Sequence, residues 1–123
     1  MQQWQQIINA ANCNFADTNY AAAESQYIEA IKLANQLLEQ WFNSNEAIQA
    51  YVCSYHNLAH LQIRQERFRE ARILLKSLQS SLEFELTKCK LNSQRYISIK
   101  NALTTNEMAL DNNFLKIDCV QSN

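Results

Sequence analysis

The 123-residue chain contains neither glycine nor proline, and this double absence constrains its fold more than any other feature. Without glycine, the chain cannot form the glycine-rich loops that hold phosphates and dinucleotides, or the nucleophile elbow of many hydrolases. Tight β-hairpins and many-stranded sheets also depend on glycine and proline at their turns. The composition therefore favours helices that are joined by turns of asparagine, serine and aspartate.

Charge and length narrow the possibilities further. The 11 lysines and arginines nearly balance the 12 aspartates and glutamates, so nothing favours binding to nucleic acid or to an anionic membrane. The length suits one domain with a single core. The N-terminus lacks the basic and apolar regions of a signal peptide, and the apolar runs are too short to span a membrane. We therefore expect a cytoplasmic protein with reduced cysteines.

Apolar residues recur every three or four positions along almost the whole chain, which is the spacing of a buried helix face. In one stripe, Ala23, Tyr27, Ala30 and Ala34 follow one another at steps of four, three and four. Polar breaks separate the stripes. The pattern predicts one all-α domain over residues 1–112, with five helices at about 2–16, 20–42, 45–64, 67–91 and 93–112. Residues 113–123 show no clear period, and we assign them no structure.

The chain also contains an internal repeat, since Phe68 lies 48 residues after Tyr20 in a matching context. Each aromatic follows a polar turn and is followed by alanine three positions later, at Ala23 and Ala71. Residues 4–85 thereby resemble two tetratricopeptide repeats, in which a helix with a large–small step precedes a helix with an aromatic–alanine ladder. The chain departs from that family in lacking the usual glycine and closing proline. Its period also exceeds the family's usual length of about 34 residues.

The resemblance implies a short α-solenoid of stacked antiparallel helix hairpins, with the fifth helix as a C-terminal cap. Asn106 and Glu107 stand where the preceding repeat has Leu58 and Ala59. We expect these polar residues to form the uncovered face of the cap. The resemblance is to small bacterial tetratricopeptide-like proteins, and it implies an adaptor or chaperone-like module that binds a peptide or a partner helix in a concave groove.

The resemblance also implies which residues line that groove. Carried over position by position, the partner-binding residues are Ile8, Asn12, Phe15, His56, Asn57, His60 and Arg64. Members of the family that clamp a carboxylate use two asparagines, with which Asn12 and Asn57 align, together with several basic residues. The basic positions are occupied here by Ile8, Thr104 and Met108. A carboxylate clamp is therefore expected to be absent or weakened.

The sequence leaves two alternatives open. Cys53, His56 and His60 share one helix face, and such side chains bind zinc or copper, although three ligands without a fourth make an incomplete site. A metal-responsive protein is the first alternative. Trp41 and Phe42, at the distal end of the second helix, would form a dimer interface if nothing covered them. A structural homodimer is the second alternative.

Neither catalysis nor nucleic-acid binding is predicted. The carboxylates are spread among solvated helical positions, and no serine or cysteine has a recognisable base with an orienting acid. One basic cluster comprises Arg64, Arg67, Arg69, Arg72 and Lys76, and Glu66 and Glu70 interleave with it. That mixture is typical of a solvated helix face. We therefore expect a protein or peptide partner, with no cofactor, nucleic acid or membrane.

Overall fold

The computed structural model describes residues 1–40 and 45–115, which fold into helices joined by short turns. The helices are α1 (Gln2–Ala16), α2 (Tyr20–Gln40), α3 (Asn45–Arg64), α4 (Phe68–Thr87) and α5 (Gln94–Leu110), and α5 continues into a π-helical turn at Asp111–Leu115. Consecutive helices pack against each other, and α1 and α5 also contact α3. The predicted all-α fold of stacked helices is confirmed. Trp41, Phe42 and residues 116–123 lie outside the described residues.

The end of α4 differs from its predicted position at residue 91. The helix ends at Thr87, and Asn92 in the following turn has a φ of 62°. Ser93 then caps α5, because its side chain accepts a hydrogen bond from the Tyr96 N–H at 3.2 Å. Cys89 packs against the core although it lies beyond the helix. Its burial prolonged the apolar pattern past the true helix end.

Two pairs of alanines related by the 48-residue period have the same burial, as the internal repeat predicts. Ala23 and Ala71 both have 0% of their surface exposed, and Ala11 and Ala59 are 0% and 2% exposed. Alanine presents only a methyl group, so it allows neighbouring helices to approach closely. The small residues of the repeat therefore lie in the core, buried between packed helices.

The turns after α1 and α3 have the same geometry, 48 residues apart. In both, two backbone N–H groups beyond the helix donate to carbonyls of its last turn, which is a Schellman motif. The bonds are Asn19 to Asn14 (2.8 Å) and Thr18 to Phe15 (3.1 Å), then Arg67 to Gln62 (2.7 Å) and Glu66 to Ile63 (2.9 Å). Thr18 and Glu66 occupy the left-handed position of this motif, with φ of 63° and 61°. Glycine usually fills that position.

Replacing Thr18 or Glu66 with glycine is expected to stabilise the protein. The left-handed conformation costs a residue with a side chain about 1–2 kcal/mol. The extra entropy of glycine in the unfolded chain offsets roughly 0.5–1 kcal/mol of the gain. Urea unfolding should therefore show each variant to be more stable by up to about 1 kcal/mol. Ser77→Gly, on the exposed side of α4, is the control and should lower stability. If all three glycines were equally destabilising, the left-handed assignment would be wrong.

A two-pronged ion pair connects the second of these turns to α2. The Nη1 and Nη2 atoms of Arg67 donate to the two carboxylate oxygens of Glu24, at 2.9 and 3.0 Å. The Nε atom of the same arginine donates to Glu70 at 2.5 Å. Hydrogen bonding to Arg67 lowers the pKa of Glu24 below its usual value, although burial opposes this. Arg67 is thus held within the fold and is not part of an open basic surface.

This ion pair predicts a pH-dependent contribution to stability. Because the folded state favours the charged form of Glu24, the contribution is present above the unfolded pKa of 4.5. It is lost as the pH falls through the lowered folded pKa. At pH 7 we expect Glu24→Gln to reduce the free energy of unfolding by about 0.5–1 kcal/mol, since the pair is partly exposed to solvent. Chemical unfolding at stepwise lower pH should show this difference in stability vanishing once the pH has fallen below the lowered folded pKa of Glu24. Glu29→Gln, on an exposed position of α2, is the control. If the free energies of unfolding of the wild type and Glu24→Gln differed by the same amount down to acid pH, the ion pair would be contradicted.

Candidate functional site

Two cavities follow one another between α3 and α5, and we call the groove that contains them the α3–α5 crevice. The first encloses about 420 Å³ and is lined by Asn45, Ile48, Gln49, Val52, Cys53, Ser98, Asn101, Ala102 and Thr105. The second encloses about 330 Å³ and is lined by His56, Asn57, Ala59, His60, Ile63, Leu75, Ala109 and Asn113. The α3 and α5 residues recur at helical spacing, so both cavities open on the same side of the helix pair.

The crevice runs along the two helices in register. At its beginning, the Ser98 hydroxyl of α5 donates to the side-chain oxygen of Asn45 at the start of α3. At its other end, Ile63 of α3 shares the second cavity with Asn113, just beyond α5. The α3 residues from 45 to 63 span about 27 Å at the rise of an α-helix. The crevice is therefore long enough to hold a segment of another chain.

A hydrogen bond between His56 and Asn106 lies between the two cavities. Asn106 is 0% exposed, and its Nδ2 atom donates to the Leu75 carbonyl at 2.9 Å and to the Gln79 side chain at 3.0 Å. Its Oδ1 atom, 2.9 Å from His56 Nε2, must therefore be the acceptor, so His56 Nε2 carries a proton. The prediction that Asn106 lies on an uncovered cap face is wrong. Its amide joins α3, α4 and α5.

Three of the predicted groove residues, His56, Asn57 and His60, line the second cavity together. The exposed ring of His60 lies 5.5 Å from the Phe15 ring, centre to centre. Phe15 of α1 therefore borders the crevice on its α1 side. Arg64 is exposed one helical turn beyond His60. The structure thus brings most of the predicted set to one surface.

Two predicted residues on α1 lie in other surroundings. Asn12 is exposed, and its Oδ1 atom accepts a hydrogen bond from the Tyr27 hydroxyl of α2 at 2.5 Å. Ile8 is only 5% exposed and packs in the core with Trp4 and Ala11. These three residues share one face of α1, because they are spaced by four and three positions. The assignment of Ile8 to the groove is therefore corrected, since its side chain is not accessible to a partner.

The described residues do not assemble the metal site that the sequence left open as an alternative. Asn57 donates to the Cys53 sulfur at 3.6 Å, and burial raises the pKa of the Cys53 thiol. A protonated thiol is a poor metal ligand. His56 is engaged with Asn106. Within residues 1–40 and 45–115, no three histidine, cysteine, aspartate or glutamate residues are close enough together to hold a metal ion. The arrangement of Cys53, His56 and His60 is therefore not a ligand set.

The α3–α5 crevice is uncharged and rich in amide groups. No aspartate, glutamate, lysine or arginine is among the described residues that line its two cavities. Five side-chain amides line them: Asn45, Gln49, Asn57, Asn101 and Asn113. In contrast, a cavity between α4 and α5 is lined by charged residues including Lys76, Glu83 and Glu107. Each amide offers both a donor and an acceptor, which is what a peptide bond requires.

The first cavity was not predicted from the sequence. Its residues on α3 continue the helical stripe of His56 and His60 toward the N-terminus, through Asn45, Gln49 and Cys53. These positions are separated by four, four, three and four residues, which places them on one helix face, and this spacing could have revealed the cavity from the sequence.

No helix in the described part of the chain is both long enough and apolar enough to cross a membrane.

Comparison with known proteins identifies a family. A family model described as a protein of unknown function (DUF2753) matches residues 2–117 of the chain. No curated protein matches significantly, and no solved structure does so either. The matched region includes all five helices and every residue of the α3–α5 crevice. The chain therefore belongs to the DUF2753 family.

Proposed function

We propose that the protein is an interaction module, acting as an adaptor or a chaperone, that binds a peptide segment of a partner protein in the α3–α5 crevice. The uncharged, amide-lined crevice is the observation that carries the proposal. Side-chain amides can pair with the N–H and C=O groups of a bound backbone. Val52 and Ile63, both half-buried, supply apolar surface that a partner side chain would cover.

The dimensions of the crevice suit a short segment. An extended peptide rises about 3.3 Å per residue, so a crevice of about 27 Å spans roughly eight residues. The resemblance to tetratricopeptide repeats supports the same binding surface. In that family the first helices of successive pairs line the groove, and here these helices are α1, α3 and α5. We propose that these pairs are divergent tetratricopeptide repeats with lengthened helices. The matching Schellman turns and buried alanines at a spacing of 48 residues support this assignment.

We also propose that the protein functions in a reducing compartment, the cytoplasm. Cys13, Cys53 and Cys89 are free thiols in the structure, and none of them lies in a disulfide. Free thiols persist where glutathione and thioredoxin keep cysteines reduced. The environment of Cys53 supports a structural role, since its sulfur is half-buried and accepts a hydrogen bond from Asn57.

Substitutions within the crevice are expected to weaken peptide binding without unfolding the protein. Peptides of about twelve residues would be selected from a random phage library on the full chain, and their affinities measured by calorimetry. Gln49→Ala and His60→Ala should each weaken binding by about fivefold or more, because both side chains are exposed within the crevice. His56 is left unchanged, since its bond to Asn106 contributes to the fold.

Arg69→Ala, on an exposed position of α4, is the matched control and should bind with wild-type affinity. The dissociation constant should also change less than about twofold between 50 and 500 mM NaCl, because no charged residue lines the crevice. Selected peptides that are strongly charged and salt-sensitive would contradict the proposal. So would an affinity that survives both crevice substitutions and is lost in Arg69→Ala.

A further inference from the structure

The outer face of α5 carries a stripe of four exposed residues, one of which, Asn101, also borders the first cavity of the α3–α5 crevice. Ile97, Asn101, Thr104 and Met108 form this stripe at steps of four, three and four residues, the spacing of a two-stranded coiled-coil seam. Ile97 and Met108 are 51% and 58% exposed. The opposite face of the helix supplies the buried residues Ile99, Leu103 and Asn106. The stripe is thus a separate surface from the one that builds the core.

The order of residues along the stripe is self-complementary. If a second α5 lies antiparallel, with the twofold axis between residues 102 and 103, Ile97 faces Met108 of the second copy. Asn101 then faces Thr104 of the second copy, so that apolar residues meet apolar residues and hydrogen-bonding side chains meet each other. A single pairing satisfies all four positions at once.

The charges that flank the stripe select the same arrangement. Lys100 and Glu107 both occupy the position that precedes a stripe residue, and both are exposed. In the antiparallel pair, Lys100 of each copy lies beside Glu107 of the other, which gives two symmetric ion pairs. A parallel pair would place Ile97 against Ile97 and Lys100 near Thr105, without an ion pair. The Gln79 side chain donates to Glu107 Oε1 at 3.0 Å and helps to hold the carboxylate at this edge.

From this self-complementarity we infer that the chain forms a twofold-symmetric homodimer through the outer faces of two antiparallel α5 helices. The occupant of the stripe is a second copy, because both the apolar pairs and the ion pairs are completed by the chain's own residues. One helix pair makes a small interface, so the dissociation constant should be on the order of 100 µM. Asn101 belongs both to the stripe and to the lining of the first cavity, so the dimer is tested at Lys100 and Glu107, which do not line the crevice.

Charge reversal provides a direct test by sedimentation equilibrium of the full chain, from about 10 µM to about 1 mM. Lys100→Glu and Glu107→Lys should each weaken dimerisation by about fivefold or more, because each homodimer would contain like-charged pairs. An equimolar mixture of the two variants should form a heterodimer with at least wild-type affinity, since both ion pairs are then restored. Arg69→Glu changes the net charge equally, outside the stripe, and should dimerise normally.

Circular dichroism and melting curves would verify that every variant is folded. A wild-type chain that is monomeric at 1 mM would overturn the inference. It would also be overturned if either single variant dimerised like the wild type, which would place any dimer contact elsewhere. A mixture that associates no better than the separate variants would exclude the antiparallel pairing.

Discussion

Replacing Asn106 with alanine is expected to lower the free energy of unfolding by about 2–3 kcal/mol, one of the two largest effects among our predictions. The Asn106 amide is completely buried and hydrogen-bonds to groups on α3 and α4. Its removal would leave His56 and Gln79 without this partner and would open a cavity at the junction of three helices. Thermal and urea unfolding would both measure the loss.

Thr105→Ala is the matched control, because the adjacent Thr105 is exposed and its hydroxyl donates to the carbonyl of Asn101 in its own helix. That variant should change stability by less than about 0.5 kcal/mol. A double-mutant cycle that combines His56→Ala with Asn106→Ala should give a coupling free energy of about 1 kcal/mol. If Asn106→Ala were as stable as the wild type, the buried amide network would be incorrect.

The second large effect is expected at the paired alanines of the repeat. Ala23→Leu and Ala71→Leu should each destabilise the protein by about 1–3 kcal/mol, because both methyl groups are completely buried where helices approach closely. The two losses should be similar in size, since the positions are equivalent under the 48-residue period. Urea unfolding of both variants would measure them.

Ala22→Leu provides the control, because this alanine is adjacent to Ala23 but exposed on α2. It should change stability by less than about 0.5 kcal/mol, since a surface leucine fits a helix well. An unchanged melting temperature for Ala71→Leu would contradict the alignment of the two repeats. Equal destabilisation by Ala22→Leu would show that a larger side chain is harmful anywhere on α2.

The helices and their pairing could be predicted from the sequence because they depend on short-range patterns. The stripe from Ala23 to Ala34 and the equivalent positions in α4 each specify a buried face without reference to the rest of the chain. The end of α4 could not be located in this way. Cys89 is partly buried by tertiary packing after the helix has ended, so its position continues a helical pattern that the backbone does not follow.

The candidate site was only partly predictable, because its polar residues depend on long-range partners. His56, Asn57 and His60 could be placed on one face of α3 from their spacing alone. The burial of Asn106 could not be predicted from the sequence, since an asparagine in a helix usually faces water unless another element offers hydrogen-bond partners. Those partners come from Leu75 and Gln79 of α4.

Ile8 illustrates the opposite error. The resemblance to tetratricopeptide repeats assigned it to the concave groove, whereas its spacing from Trp4 and Ala11 places all three on the buried face of α1. The local helical pattern was more informative at this position than the family's assignment.

The most direct test of the proposed binding surface is an NMR titration of the ¹⁵N-labelled chain with a selected peptide. Binding in the α3–α5 crevice predicts that the largest shifts of backbone and side-chain amides occur at Gln49, Asn57 and Asn101. Smaller shifts are expected near Phe15, which borders the crevice through its contact with His60. Shifts confined to the exposed face of α4 around Arg69, with the crevice amides unchanged, would contradict the proposal.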